Sequence, residues 1–210
     1  MPTITSIKPQ KNNKRVNIYL DGDFAFGLDL ENFVKHNLRV EQELSQEEID
    51  AIKYKGEVSK VFAKVLRFAM MRPRSKKELD DWFKRKKIEL PLYAPLLKRL
   101  KKFELIDDTK FAQWWVGQRI QFKNKSKKEL QFELRKKGIA NDIIRVTLDS
   151  VEIDESKSAY DLLLKRSFQW KRFETDEVKN KMYGYLMRKG FGWDTVKSAV
   201  EKYLGGAEDE

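Results

Sequence analysis

Two clusters of lysine and arginine carry the clearest chemical potential in this chain. The first comprises Arg72, Arg74, Lys76, Lys77, Lys84, Arg85, Lys86 and Lys87; the second comprises Lys123, Lys125, Lys127, Lys128, Arg135, Lys136 and Lys137. Cations at this density suit phosphates. Each phosphate neutralised by Lys or Arg releases condensed counterions, which gives affinity without sequence readout. Each cluster surrounds a serine, Ser75 or Ser126, that reads as a helix start. Free amides there could add anion contacts. The bland alternative is a solvated face whose cations complement the negative C-terminal ends of helices. Helix ends explain only the terminal charges, so both clusters are candidates for binding a polyanion.

Other residue types that could do chemistry lack the necessary partners. Asp80-Asp81 and Asp107-Asp108 are neighbours in sequence, and neighbours on a helix do not face each other, so they make poor acid/base pairs. The second pair fits a helix start instead. His36 is the only histidine, and no partnering motif surrounds it. No Gly-rich phosphate loop, metal-ligand cluster or nucleophile motif occurs. No catalysis, cofactor or metal site is expected. Trp82, Trp114, Trp115, Trp170 and Trp193 could stack on bases, but such residues more often anchor a core, and a core role is expected for them.

The whole-chain balance agrees with a polyanionic partner. There are 44 Lys+Arg against 33 Asp+Glu over 210 residues, a formal net charge of +11. With 37% charged and 40% hydrophobic residues, a thin, elongated stack of helices fits better than one thick globule. Cysteine is absent, so no disulfide framework exists. The start, Met1-Pro2-Thr3-Ile4, has no basic segment followed by an apolar run, so no secretory signal is read. No apolar stretch approaches the ~18 residues of a membrane span. A cytoplasmic monomer is expected.

The elements that must position these cations follow from periodicity. Val16, Ile18 and Leu20 alternate with polar residues, Asp21-Gly22 suits a type I′ turn, and Phe24, Phe26 and Leu28 form a second strand. Ile4–Ile7 supplies a possible third, so a small β-hairpin element or three-stranded sheet opens the chain. Beyond residue 29 the pattern is helical. Ser45-Gln46-Glu47-Glu48 reads as a capping box. Ser75-Lys76-Lys77-Glu78-Leu79 recurs 51 positions later as Ser126-Lys127-Lys128-Glu129-Leu130. At the same offset Phe83 matches Leu134, and Arg85-Lys86-Lys87-Ile88 matches Lys136-Lys137-Gly138-Ile139. A third copy follows at an offset of 52, where Met182, Leu186 and Lys189-Gly190-Phe191 match. There Val178 replaces the capping serine and Lys181 the glutamate, which leaves the helix start open.

Each copy reads as a leading helix (Val58–Met71, Thr109–Phe122, Ser156–Trp170), a second helix with a basic exit, and a third helix that packs back. The fold expected is mainly α: three tandem three-helix repeats in an elongated array after the β element. The divisions are 1–56, 57–106, 107–153 and 154–206. Stacking is needed because a unit of ~50 residues buries little alone. The tail Gly205–Glu210 is expected to fray.

Collinear motifs then identify a resemblance. Arg72-Pro73-Arg74-Ser75-Lys76-Lys77-Glu78-Leu79, Leu105-Ile106-Asp107-Asp108-Thr109-Lys110-Phe111-Ala112, and Lys128-Glu129-Leu130 with Leu134–Ile139 resemble the signatures of the RecX family. So do Arg15–Gly22 and Phe26-Gly27-Leu28. The pair Trp114-Trp115 and the third repeat depart from the family pattern. The resemblance implies a non-catalytic regulator that binds RecA and the RecA–single-stranded DNA filament along its groove. It further implies inhibition of the recombinase, ATPase and coprotease activities, with weak direct nucleic-acid binding. Three-helix units with basic second helices also permit a tandem helix-turn-helix-like DNA binder acting without RecA, and a pure protein scaffold is a further alternative.

Overall fold

The computed structural model describes residues 1–11, 13–173 and 175–205, without the side chains of 175 and 176. Residues 206–210 of the expected frayed tail lie outside the described residues. The chain divides into two compact units. One holds Met1–Arg72 and Asp81–Leu105; the other holds Pro73–Asp80 and the described residues from Ile106 onward.

The first unit opens with three strands, β1 (Ile4–Pro9), β2 (Arg15–Leu20) and β3 (Asp23–Asp29), antiparallel in the order β1-β2-β3. The β2–β3 turn has Asp21 at φ 49° and Gly22 at φ 96°, the paired positive values that a type I′ turn requires. Ile4, Val16, Ile18, Phe26 and Leu28 form the buried face. The short α1 (Leu30–Lys35) follows, with His36 at its C-terminal cap.

Helix α2 runs unbroken from Gln46 to Met70, with both halves of the Ser45/Glu48 capping box formed. The expected leading helix is therefore the second half of a longer one. Gly56 lies within it, where a Cβ would sit 3.0 Å from the Leu28 side chain and 3.2 Å from the carbonyl of Gly27 on β3, tighter than ordinary contact. Close approach of the sheet, rather than flexibility, accounts for that glycine.

The remaining helices follow the three-part grammar. The first repeat continues with α3 (Lys76–Arg85), a 3-10 turn (Leu90–Leu92) and α4 (Tyr93–Lys102). The second comprises α5 (Asp108–Lys123), α6 (Lys127–Lys136) and α7 (Asn141–Asp149). Its core gathers Phe111, Trp115, Leu130, Leu134, Ile139, Ile144 and Leu148. The third comprises α8 (Glu155–Leu164), α9 (Ser167–Trp170), α10 (Thr175–Arg188) and α11 (Trp193–Gly205), around Leu163, Trp170, Met182, Leu186 and Val196.

One expectation for the third repeat needs correction, and one point left open by the sequence has an answer. Its leading helix is broken: α8 stops at Leu164, and the Trp170 indole folds back to donate to the Leu163 carbonyl at 3.0 Å. A buried ring and a satisfied N–H together favour the break. The second helix starts at Thr175, ahead of Val178, which is buried inside the helix rather than capping it.

All three second helices end alike. Lys87 N–H donates to the Lys84 carbonyl and Ile88 N–H to the Phe83 carbonyl; Gly138 to Arg135 and Ile139 to Leu134; Gly190 to Met187 and Phe191 to Leu186. This is the Schellman pattern, with its apolar contact between C″ and C3. Lys87, Gly138 and Gly190 all have positive φ, at 52°, 78° and 84°.

Candidate nucleic-acid interface

The serines that start α3 and α6 do more than cap. Ser75 accepts from the Glu78 amide at 3.2 Å and donates to the Lys137 carbonyl at 2.8 Å. Ser126 accepts from the Glu129 amide at 3.1 Å and donates to the Lys189 carbonyl at 2.7 Å. Both serines are fully buried. Each hydroxyl thus joins the N-terminus of its own helix to the C-terminus of the equivalent helix in the next repeat. The two helix ends have opposite partial charges, so the juxtaposition is favourable.

A second duplicated contact completes the junction. The Lys76 amide donates to Asp108 and the Lys127 amide to Glu155, both at 2.8 Å. The residue before each acid caps its own helix: Asp107 accepts from Thr109 and Lys110, and Asp154 from Lys157. The first acid of each pair therefore starts a leading helix, and the second closes the preceding repeat's second helix. Of the amides near Ser75 and Ser126, expected to be open to an anion, those of Lys76 and Lys127 are occupied by carboxylates of the protein and those of Glu78 and Glu129 by the serine hydroxyls.

Glycine at the helix exit follows from the same junction. A Cβ on Gly138 would lie 2.7 Å from the Lys77 Cβ, and one on Gly190 would lie 3.0 Å from the Ser126 hydroxyl and 3.2 Å from the Lys128 Cβ. Lys87 adopts the same left-handed conformation with a full side chain. Conformation alone does not demand glycine; the preceding repeat does.

These contacts arrange the basic residues in a staggered manner. The start of α3, with Lys76 and Lys77, adjoins the exit of α6, with Lys136 and Lys137. The start of α6, with Lys127 and Lys128, adjoins the exit of α10, with Arg188 and Lys189. Arg188 and Lys189 were not among the candidates, although the third copy of the basic exit, aligned at Lys189-Gly190-Phe191, was the signal that could have found them. Lys84, Arg85, Lys86 and Lys87 are exposed at the end of α3, and Lys123, Lys127, Lys128, Arg135 and Lys136 are exposed around α6. Arg72 and Arg74 are half-buried before α3.

Several candidates face carboxylates of the protein itself: Arg74 lies 4.0 Å from Glu78 and Lys76 3.6 Å from Asp80, and Lys137 and Lys125 are held more closely. Lys137 contacts Glu78 at 2.6 Å and lies 4.7 Å from the Trp115 ring centre. Lys125 pairs with Glu129 and with Glu133, the latter at 3.2 Å. Glu133 also accepts from the Trp115 indole at 2.8 Å and from Arg119 at 2.7 Å. Burial pushes the Glu133 carboxyl up, but the Arg119, Trp115 and Lys125 donors outweigh it and hold the group below its usual value. A carboxyl more acidic folded than unfolded stabilises the fold in its ionised form. That contribution is present above the unfolded value and is lost as pH falls through the folded one. Glu133→Gln is therefore expected to lower stability at neutral pH and flatten the acid limb of the stability–pH curve. Denaturant melts across the carboxylate range would show an unchanged acid limb if this network contributes nothing.

Of the tryptophans, Trp82, Trp115 and Trp170 are buried and Trp114 is half-buried. Trp193 departs from the expected core role. It is 57% exposed and stacks on Tyr183 at 5.2 Å. It is the first residue of α11, and its ring rests on α10 through Tyr183 rather than entering the interior.

The junction predicts its own sensitivity. Ser126→Ala removes a helix cap, worth ~1 kcal/mol, and takes a donor from the Lys189 carbonyl, worth ~1–3 kcal/mol. The expected loss is about 2–4 kcal/mol in urea melts, with Ser126→Thr less damaging than alanine. A loss no larger than that of a surface substitution would mean that the Lys189 carbonyl finds another donor at no cost.

Among the described residues, no helix is long and apolar enough to cross a membrane. Comparison with known proteins agrees with the architecture. The family model described as the regulatory protein RecX N-terminal domain matches residues 2–45. Those for the second and third three-helix domains of RecX match 107–148 and 153–200. A regulatory protein RecX from Bacillus pumilus is 32% identical over 100% of this chain and 81% of its own length. One from Bacillus subtilis is 35% identical over 96% of this chain and 77% of its own. A crystal structure of a regulatory protein RecX superposes with a TM-score of 0.72 at 26% identity, covering both chains fully. With a three-stranded opening and three helical repeats in its own structure, and with relatives of 32% and 35% identity matched along nearly its whole length, the chain belongs to the RecX family of regulatory proteins.

Proposed function

We propose that the chain binds RecA and RecA–single-stranded DNA filaments along the filament groove and inhibits the recombinase, ATPase and coprotease activities without chemistry of its own. The observation that carries this reading is the recurrence of exposed basic residues at the same stations of successive repeats. A filament is a periodic polyanion-bearing target, and a periodic basic protein can contact it at several stations at once. Lys76, Lys77, Lys127, Lys128, Arg135 and Lys136 are the stations nearest the junctions, and the protein acts as a monomer.

The tandem helix-turn-helix alternative loses support at the helix starts. A recognition helix reads base edges from its N-terminal residues. Here the first amides of α3 and α6 hold Asp108 and Glu155, which puts a carboxylate where a DNA contact would be needed.

Co-sedimentation with RecA–single-stranded DNA filaments, run beside bare RecA and DNA alone, tests the proposal. Recovery with the filament well above that with DNA alone is expected. Equal recovery with DNA in the absence of RecA would favour a DNA-binding protein, and recovery with bare RecA alone would favour a scaffold.

A further inference from the structure

Between α6 and α10 lies an open cavity of about 620 Å³, lined by Lys128, Phe132, Arg166, Tyr185 and Arg188 among others. That volume is within the ~300–1,000 Å³ of sites that enclose a small ligand. Arg166, Tyr185 and Arg188 also line an adjoining cavity of about 790 Å³, where Arg172 adds a further cation and Lys181 is paired with Glu177 at 3.2 Å. The acid of the first cavity, Glu129, is engaged by Lys125 and Lys189 through Oε1, while its Oε2 is buried and makes no hydrogen bond. No carboxylate among the described residues pairs with Lys128, Arg166 or Arg188.

The aromatic content of this groove narrows the choice of ligand. Phe132 stays 55% exposed on α6, with Lys128 one turn before it and Lys136 one turn after. The Lys136 ammonium lies 4.5 Å from the ring centre. Across the groove the Arg166 guanidinium is held 4.2 Å from the Tyr185 ring centre, which orients its flat face at little cost in side-chain freedom. An exposed ring between cations, opposite a stacked guanidinium, suits a ligand that alternates flat π surfaces with negative charges. An acidic peptide would satisfy the cations but leave the Phe132 face in water. A duplex keeps its base faces stacked on one another, so only unpaired bases can use the ring.

We propose that this groove binds single-stranded nucleic acid, with one base stacked on Phe132 and the flanking phosphates held by Lys128, Arg166 and Arg188. It rests on the filament reading and deepens it by assigning the direct nucleic-acid contact to a groove and to residues outside both basic clusters but for Lys128, and its test omits RecA so that the two can fail separately.

The full chain is titrated into a fluorescently labelled oligothymidylate, and into a strand of equal length with abasic sugars, with anisotropy as the readout. Phe132→Ala is expected to weaken oligothymidylate binding by roughly 5- to 100-fold, the range for losing one base stack, and to leave abasic binding unchanged. Phe132→Tyr should retain affinity. Joint Arg166→Glu and Arg188→Glu should weaken both strands and make the salt dependence shallower by about 0.7 per lost phosphate contact. Phe132, Arg166 and Arg188 are all exposed, and melting curves establish that each variant is folded. No binding by the wild type, wild-type affinity in the folded variants, equal loss on both strands with Phe132→Ala, or preference for polyglutamate over oligothymidylate would each overturn the proposal. Co-sedimentation with filaments then separates the two readings: a variant that loses the oligonucleotide but keeps the filament leaves the filament proposal intact, and the converse leaves the groove intact.

Discussion

Leu130→Ala and Leu134→Ala are each expected to destabilise the protein by about 2–5 kcal/mol, the usual cost of truncating a fully buried leucine and leaving a cavity. Both side chains have no exposed surface and belong to the core of the second repeat. Leu134 carries a second role, because its carbonyl receives the Ile139 amide that closes the Schellman turn. A cavity beside Leu134 therefore loosens the turn that presents the Lys137 carbonyl to Ser75, and the loss should fall toward the upper end of the range. Lys127→Ala, one residue after the capping serine, removes only an exposed side chain and keeps the amide that Glu155 needs. It should change stability by ~0.5 kcal/mol or less. Urea melts of the three variants decide the matter. Equal effects at all three would contradict the assignment of Leu130 and Leu134 to one buried stripe.

The second large effect is on binding. Reversal of Lys84, Arg85 and Lys86 to glutamate is expected to weaken the filament complex strongly, as is reversal of Lys127, Arg135 and Lys136. If each group contacts single-stranded DNA directly, the dependence of log affinity on log salt should become shallower by roughly 0.7 per lost contact, or about 2 for three. Inhibition of strand exchange should fall in parallel. Lys137 is spared by design. It pairs with Glu78 and lies against Trp115, so a glutamate there would set two carboxylates against each other and confound binding with folding. Full inhibition by both folded triple variants would reduce these cations to a solvated face. An unchanged salt slope with weakened binding would instead place them against RecA.

Much of the local structure was legible because it is encoded within a few residues. The Ser45 capping box, the Asp21-Gly22 turn, the apolar register of Leu130 and Leu134 and the basic helix exits all depend on neighbours within about four positions of one another. The junctions were not legible in the same way. Ser126 reads as a cap because Glu129 is three residues away, but its bond to the Lys189 carbonyl spans 63 positions and leaves no trace in periodicity. The same limit hid Arg166, which matters only once α6 and the third repeat are side by side, whereas Arg188 was within reach of the third basic exit. Trp193 misled for another reason: composition favours burial of tryptophan, yet a ring at the first position of a helix can rest on Tyr183 without entering the core. The break after Leu164 was equally hidden, since no Pro or Gly marks it.

The asymmetry among Lys87, Gly138 and Gly190 has a consequence for how such chains can change length. The first repeat offers a donor hydroxyl, Ser75, but no glycine at its exit. The second has both Ser126 and Gly138, whereas the third has Gly190 and, in place of the serine, Val178. They correspond to an initiating, a propagating and a terminating unit in a polymer whose links point one way. Only the middle unit carries both halves of the link. Duplicating it would create one more matched joint, and excising it would bring Ser75 against Gly190, halves that are already complementary. A lineage could therefore lengthen or shorten its reach by whole repeats without inventing a new joint, whereas reordering the units would leave a buried hydroxyl without its carbonyl and a lysine where only glycine fits.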